Sequence, residues 1–104
     1  MSFVVELSPT AEADLERLFD FLLARAATPE DLDRAQAAID ATRAAVQHRL
    51  AITPFSFRKA AQDPAQRELI IPFAGTGYVA LYEIVSPSKV VVLAVRHQRE
   101  EDYH

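Results

Sequence analysis

The side chains of this sequence that could do chemistry are concentrated near its C-terminus. Directly after the apolar run Val90–Val95 come Arg96, His97 and Arg99, and Tyr103 follows shortly after them. A guanidinium binds phosphate or stabilises developing negative charge, whereas an imidazole or a phenol can transfer a proton. These groups therefore suit recognition of a macromolecule or acid–base chemistry, provided that a rigid strand presents them. The other interpretation is an ordinary solvated and frayed chain end.

Three more cationic residues lie earlier in the second half of the chain. Arg58 and Lys59 belong to a predicted loop, and Arg67 opens a predicted strand. If that strand runs antiparallel to the one that ends with Arg96 and His97, these residues meet at the same end of the sheet. We therefore expect Arg67 and His97 to lie within about 15 Å of each other, a distance that two long side chains can span.

The sequence lacks the motifs of several common catalytic and cofactor sites. It has no Gly-rich phosphate loop, no pair of histidines four residues apart and no serine in a Gly-x-Ser-x-Gly turn. It contains no cysteine, which excludes disulfides and thiolate metal sites. We expect His48 at a solvated helix end and Glu83 on the wet face of its strand, with a functional acid as the alternative for Glu83. We expect neither a metal nor another cofactor.

The distribution of charge argues against a general nucleic-acid-binding protein. The formal net charge is −4; residues 1–52 hold nine acids and five bases, whereas residues 53–104 hold six of each. Only two lysines are present, Lys59 and Lys89. Because binding to a phosphate backbone depends on clustered lysine and arginine, direct nucleic-acid binding is disfavoured, although a small basic patch is compatible with the sequence.

The elements that position these groups can be predicted from periodicity and turn signals. Phe3–Leu7 is a strand, and Ser8-Pro9 and Thr28-Pro29 each begin a helix with a capping residue followed by proline. The second helix ends near Leu50, and so few residues join the two helices that they form an antiparallel hairpin. Residues 51–65 are predicted to be an extended loop. Three strands follow, at Arg67–Phe73, Tyr78–Val85 and Lys89–His97.

This order predicts one α+β domain over residues 1–104. Its elements run β-α-α-β-β-β, and the helical hairpin packs on a mostly antiparallel sheet. The chain does not start with a basic region before a long apolar run, and it has no stretch of about 18–20 apolar residues. We therefore expect a soluble cytoplasmic protein without a membrane partner.

The apolar arc of the first helix is wider than one packed surface requires. Its apolar positions cover roughly 200° of the helical wheel, about twice the usual stripe. Phe19, Phe21 and Leu23 widen the stripe that contains Leu18 and Leu22. The helix is therefore buried on two sides, or part of the arc binds a partner.

Four stretches together carry a family resemblance that covers nearly the whole chain. They are LSPTAEADLERLFDFL at Leu7–Leu22, Arg67 at the start of its strand, GYVALYEIV at Gly77–Val85 and VVVLAVRHQREEDYH at Val90–His104. In this order they resemble the RelE/ParE toxin superfamily of type II toxin–antitoxin modules, and within it the ParE, or plasmid-stabilisation, branch. The resemblance implies the same order of strand, helical hairpin and three strands.

The resemblance implies a toxin that a cognate ParD-like antitoxin neutralises. Toxins of the ParE branch block DNA gyrase, whereas those of the RelE branch cut mRNA in the ribosomal A site. A metal-independent ribonuclease needs cationic and proton-transfer groups, which here would be Arg67, Arg96, His97 and Tyr103. The chain lacks the lysine cluster of RelE-like nucleases and is acidic, which favours the ParE interpretation, in which the toxin is not an enzyme. A non-toxic binding module or an inactive remnant is the third alternative.

The resemblance also indicates two binding surfaces. We expect the target, DNA gyrase in the favoured interpretation, to be bound by Arg58, Lys59, Arg67, Arg96, His97, Arg99 and Tyr103. We expect an amphipathic antitoxin segment to cover the apolar arc formed by Leu18, Phe19, Phe21, Leu22 and Leu23, and an antitoxin strand to be able to extend the sheet edge. Because the helical half of the chain is acidic, we expect the antitoxin segment that contacts it to carry bases.

Overall fold

The predicted order of helices and strands is found in the computed structural model, which describes residues 2–100 and Tyr103. The elements are strand β1 (Val4–Leu7), helix α1 (Pro9–Arg25), helix α2 (Pro29–Ile52), a 3-10 helix (Pro54–Ser56), and strands β2 (Arg58–Lys59), β3 (Gln66–Phe73), β4 (Thr76–Ser86) and β5 (Lys89–His97). The strands form one sheet in the order β1-β5-β4-β3-β2. β1 pairs with β5 in parallel, and the other neighbours are antiparallel. The predicted α+β fold, with a helical hairpin on a mostly antiparallel sheet, is therefore confirmed.

The segment predicted as an extended loop, residues 51–65, contains two elements that the sequence pattern did not indicate. Pro54–Ser56 is the 3-10 helix, and Arg58–Lys59 pairs with the start of β3 as a short edge strand. Pro54 is buried, and its carbonyl oxygen accepts a hydrogen bond from the Tyr82 hydroxyl. Burial also raises the pKa of Tyr82 to about 12, so this hydroxyl keeps its proton. A buried tyrosine far along the chain therefore holds the segment, and this contact has no periodic signature.

Both helices start at the capping signals in the sequence. Ser8 Oγ accepts a hydrogen bond from the Ala11 backbone N–H at 3.0 Å. Thr28 and Asp31 form a reciprocal capping box at the start of α2. The backbone amides of Ala27 and Thr28 donate to the Asp31 carboxylate, and these hydrogen bonds lower its pKa. No helix in the described part of the chain is both long and apolar enough to span a membrane.

The two faces of the sheet have different environments. α1 and α2 cover one face, and the side chains buried most completely beneath them include Leu15, Val46, Leu50, Leu69, Tyr82, Val92 and Val95. Paired residues on neighbouring strands point to the same side of a sheet. Arg67 and Tyr82 therefore point toward the helices. Glu68 and Leu81 point to the opposite side, which we call the helix-free face.

Candidate functional site

The residues predicted to meet at one end of the sheet do not all meet there, because Arg67 and His97 lie at separate places. Through the strand register, Arg67 is aligned with Tyr82 and then with Val92, five residues before His97. At about 3.3 Å per residue and about 4.8 Å between strands, the Cα atoms of Arg67 and His97 are about 19 Å apart. The predicted convergence is wrong because β3 and β5 are both antiparallel to β4 and so run in the same direction.

Arg67 stabilises the local fold on the helix-covered side of the sheet. Its Nη1 donates to the carbonyl oxygens of Phe55 at 3.3 Å and Phe57 at 2.8 Å. Its guanidinium carbon lies 6.0 Å from the Phe55 ring centroid. These contacts hold the 3-10 helix segment against β3. Lys59, which is paired with Arg67 in the register, is exposed at the sheet edge.

Arg58, Arg96 and Tyr103 converge on the helix-free face around Glu68, and we call these four residues the Glu68 cluster. Arg58 Nε donates to Glu68 Oε1 at 2.9 Å, and the Tyr103 hydroxyl donates to Glu68 Oε2 at 2.5 Å. Arg96 Nη2 lies 3.8 Å from the same Oε2 atom. The side chains of Glu68 and Arg96 are each only 12% exposed. Three cationic or hydroxyl donors therefore surround one largely buried carboxylate.

Arg96 also organises the chain after β5. Its Nη1 atom donates to the backbone carbonyl oxygens of His97, Gln98 and Glu100, at 3.3, 3.4 and 2.6 Å. Its guanidinium carbon lies 5.0 Å from the Tyr103 ring centroid, within the range of a cation–π contact. Residues 98–100 and Tyr103 are thus tied to the sheet, unlike the frayed end that was the alternative interpretation.

The two predicted proton-transfer groups, His97 and Tyr103, are both engaged in internal hydrogen bonds. His97 Nδ1 accepts the Arg99 backbone N–H at 3.1 Å, which places the ring proton on Nε2, 2.9 Å from Thr76 Oγ1. Burial, followed by the hydrogen bond to Glu68, raises the pKa of Tyr103 well above its ordinary value. Both ring nitrogens of His97 are therefore engaged in hydrogen bonds, and Tyr103 is a poor acid near neutral pH.

A groove of about 690 Å³ lies between the helical hairpin and the turn that joins β3 to β4. Its apolar surface is formed by Leu18, Phe21, Leu22, Ala35, Ala38, Phe73 and Tyr78. Its charged residues are four arginines, Arg17, Arg25, Arg34 and Arg99, and two acids, Asp31 and Glu100. His97 also lines the groove, so His97 and Arg99 belong to this surface and not to the Glu68 cluster.

The residues predicted to bind an antitoxin are divided between different surfaces of α1. Leu18, Phe21 and Leu22 line the groove. Phe19 lies on the outer side of the hairpin beside Glu12, and Leu23 is 36% exposed and lines neither surface. Phe21 is 54% exposed, so the fold alone does not bury the whole apolar arc. Part of the arc is therefore available to a partner.

The arginines of α1 that line the groove lie on one face of the helix. Arg17, Phe21 and Arg25 are each four residues apart and so follow one another along the helix surface. The Arg25 guanidinium carbon lies 4.6 Å from the Phe21 ring centroid, and Arg17 Nη1 lies 3.3 Å from a Glu100 carboxylate oxygen. Glu12 and other acids of the hairpin line the outer side. The net charge of the hairpin therefore does not describe the charge of its groove.

Sequence reasoning missed Glu68 and the arginines of α1 and α2. Strand alternation was a signal for Glu68, because it places this residue on the face opposite to the buried Leu69. The four-residue spacing of Arg17, Phe21 and Arg25 was a signal for the groove. Neither signal alone identifies the residues on other elements that complete each site.

The sequence matches the model of one toxin family and is similar to a named toxin. The family model for the ParE toxin of the type II toxin–antitoxin system parDE matches residues 5–102. Toxin RelE3 of Caulobacter vibrioides is 35% identical over 96 residues, which are 92% of this chain and 95% of that protein.

Two solved structures share the fold at low sequence identity. The chromosomal ParDE toxin–antitoxin system of P. aeruginosa matches with a TM-score of 0.71 and 14% identity, covering 91% of this chain and 95% of the matched chain. The toxin–antitoxin complex RelBE2 of Mycobacterium tuberculosis matches with a TM-score of 0.64 and 19% identity, covering 96% and 95%. At these identities the similarity shows the fold.

Proposed function

The chain belongs to the ParE toxin family of type II toxin–antitoxin systems, and on that basis we propose that it is a cytoplasmic toxin that blocks DNA gyrase by binding to it. In this proposal the toxin breaks no bond and uses no cofactor. A cognate ParD-like antitoxin neutralises it. The solved relatives from P. aeruginosa and Mycobacterium tuberculosis are a toxin–antitoxin system and a toxin–antitoxin complex, which supports an antitoxin partner.

The placement of the four candidate catalytic residues favours protein binding over RNA cleavage, and this observation carries the proposal. Arg67 lies on the helix-covered side, His97 lines the groove, and only Arg96 and Tyr103 share a surface. There both contact the Glu68 carboxylate, which would repel an approaching phosphate group. At an effective dielectric constant of about 20, two like unit charges about 5 Å apart repel by about 3 kcal/mol. The helix-free face therefore suits a protein target better than an RNA backbone.

In this proposal the target-binding residues are those of the helix-free face and its edge. Arg58 keeps 54% of its side chain exposed while it pairs with Glu68, and Lys59, which is aligned with Arg67 and so points to the other side of the sheet, is exposed at the same edge. Arg67 is excluded from the target surface because main-chain carbonyls bind its guanidinium. Arg58 and Lys59 are therefore the first residues to vary when the target surface is mapped.

A supercoiling assay together with a ribosome assay tests the proposed target. We expect the purified protein to inhibit gyrase supercoiling and to leave ribosome-bound mRNA intact in primer extension. Arg58→Glu should weaken the inhibition, whereas Arg43→Glu should not, because Arg43 lies on the outer side of the hairpin with a similar exposure of 45%. If neither activity is found and expression is harmless, the chain is a non-toxic binding module or an inactive remnant.

The second candidate function is cleavage of mRNA on the ribosome. One observation favours it: the relative from Caulobacter vibrioides that is 35% identical carries the name Toxin RelE3. Codon-specific cleavage without an effect on gyrase would make this candidate the function.

We further propose that the antitoxin docks an amphipathic segment in the groove. The apolar floor, the exposed Phe21 ring and the arginine-rich rim together fit a segment with one apolar and one charged face. Because four arginines face only two acids, the docked segment is expected to be acidic. This replaces the expectation of a basic segment, which was based on the charge of the whole helical half.

A further inference from the structure

The Glu68 cluster has the composition of an anion-binding site whose bound anion is the chain's own Glu68 carboxylate. Arg58 Nε, Arg96 Nη2 and the Tyr103 hydroxyl lie 2.9, 3.8 and 2.5 Å from the two carboxylate oxygens of Glu68. Guanidinium and hydroxyl groups of this kind also bind phosphate oxygens. Arg96 Nε is buried and has no hydrogen-bond partner within the described residues. The cluster therefore has a hydrogen-bond donor that Glu68 does not use.

We propose that Glu68 determines the specificity of the helix-free face: its carboxylate occupies the place of a phosphate group and so prevents single-stranded RNA from binding to Arg58, Arg96 and Tyr103. The inference rests on the proposed function, in which the natural chain acts on a protein and not on RNA. Glu68 is the residue that enforces the choice of protein over RNA.

The substitution Glu68→Gln isolates the charge of this residue from its packing. With Glu68 ionised, the cluster holds two positive charges and one negative charge; the substitution removes only the negative one. Glutamine has nearly the same size and retains one carbonyl oxygen, which can accept the hydrogen bond from Arg58, while its amide N–H can donate to the Tyr103 hydroxyl oxygen. The variant therefore keeps the cluster assembled while it leaves both guanidinium groups without an anion.

Glu83 provides a matched control on the same face of the sheet. It is half-buried on β4, where it is aligned with Gln66 of β3 and Val91 of β5. It makes no ion pair within residues 2–100 and 103. Glu83→Gln changes the charge of the face by the same amount without touching the three donors around Glu68. A general effect of charge is therefore equal in the two variants, whereas a specific effect is confined to Glu68→Gln.

The test measures binding of a fluorescent single-stranded RNA oligonucleotide to the full chain by anisotropy at several salt concentrations. We expect Glu68→Gln to bind at least about tenfold more tightly than the natural chain, because a close like-charge repulsion has been removed. We expect its affinity to fall more steeply with salt, as for binding that neutralises more phosphates. Glu83→Gln should match the natural chain, and adding Arg96→Ala to Glu68→Gln should abolish the gain.

Three results would overturn the inference. One is equal RNA affinity of both glutamine variants and the natural chain, with unchanged thermal unfolding. Another is a gain that survives the addition of Arg96→Ala. A third is binding of inorganic phosphate to Glu68→Gln without any binding of RNA. If Glu68→Gln fails to fold, Glu68→Ala makes the same charge change and takes its place in the comparison.

The proposed function can fail separately from this inference. If the natural chain itself binds and cleaves RNA, the proposed function is wrong. If the natural chain inhibits gyrase and neither variant binds RNA, only the role assigned to Glu68 is wrong.

Discussion

Replacing Phe21 with alanine is expected to weaken binding of the antitoxin and to leave the fold intact. Phe21 lines the groove and is 54% exposed, so its ring contributes little to the core. Its neighbour Arg25 lies over the ring at 4.6 Å and would keep it in place for a partner. Aromatic anchors of this kind often dominate the energy of an interface.

The size of the effect follows from the surface that a partner would cover. A fully buried phenylalanine buries about 150–250 Å², so a half-exposed ring leaves roughly 100 Å² for a partner. At about 25 cal/mol per Å², this area corresponds to about 2.5 kcal/mol. Since about 1.4 kcal/mol is a tenfold change in Kd, we expect Phe21→Ala to weaken binding by about 10- to 70-fold.

The assay is isothermal titration of the toxin with its cognate antitoxin. Phe55→Ala is the matched control, because Phe55 is 62% exposed and lies near Phe3 and Arg67, away from the groove. Its affinity for the antitoxin should equal that of the natural chain. The reasoning is refuted if Phe21→Ala binds normally, or if Phe55→Ala loses as much affinity, while both variants melt at the natural temperature.

Three further predictions concern buried contacts and pH. Asp14→Ala removes the acceptor that the buried Val95 N–H uses at 2.9 Å; it should lower the free energy of unfolding by about 1–3 kcal/mol in urea, and Asp14→Asn should recover part of this. Tyr82→Phe removes the hydrogen bond to the Pro54 carbonyl and should lower the free energy of unfolding by about 1–2 kcal/mol. An unfolding midpoint equal to that of the natural chain would contradict this prediction. The pKa of Asp31 is lowered in the folded chain. Its ionised carboxylate therefore stabilises the fold above the ordinary pKa of 3.8, and this stabilisation is lost as the pH falls through the lower pKa of the folded chain. The melting temperature of Asp31→Asn should therefore fall less than that of the natural chain between about pH 5 and pH 2.

The helices and main strands could be predicted because their signals are local. Ser8 and Thr28 cap helices that begin where the sequence indicates, and the glycine-containing turn before β4 separates two strands as expected. The predicted meeting of Arg67 and His97 failed although the sequence contained the information to reject it. Two successive hairpins reverse the chain twice, so β3 and β5 must run in the same direction.

The candidate sites were harder to predict because each depends on contacts between distant parts of the chain. Glu68 meets Arg58 through the two-residue strand β2, and it meets Tyr103 through the fold of the chain after β5. Neither element has a periodic pattern. The groove has the same difficulty, because counting charges over the helical half hides the face on which Arg17 and Arg25 lie.

The chain after β5 physically joins the groove to the helix-free face. The Glu100 carboxylate contacts Arg17 in the groove and accepts the His97 backbone N–H at 2.8 Å, while the Glu100 carbonyl accepts a hydrogen bond from Arg96 of the Glu68 cluster. A partner that binds Arg17 competes with the Glu100 carboxylate for this guanidinium, and we expect displacement of the carboxylate to weaken the support that Glu100 gives to Arg96. If the antitoxin occupies the groove and the target occupies the helix-free face, binding at the first surface therefore disturbs the second without covering it. In the proposed function, neutralisation would then require no overlap between the two partners.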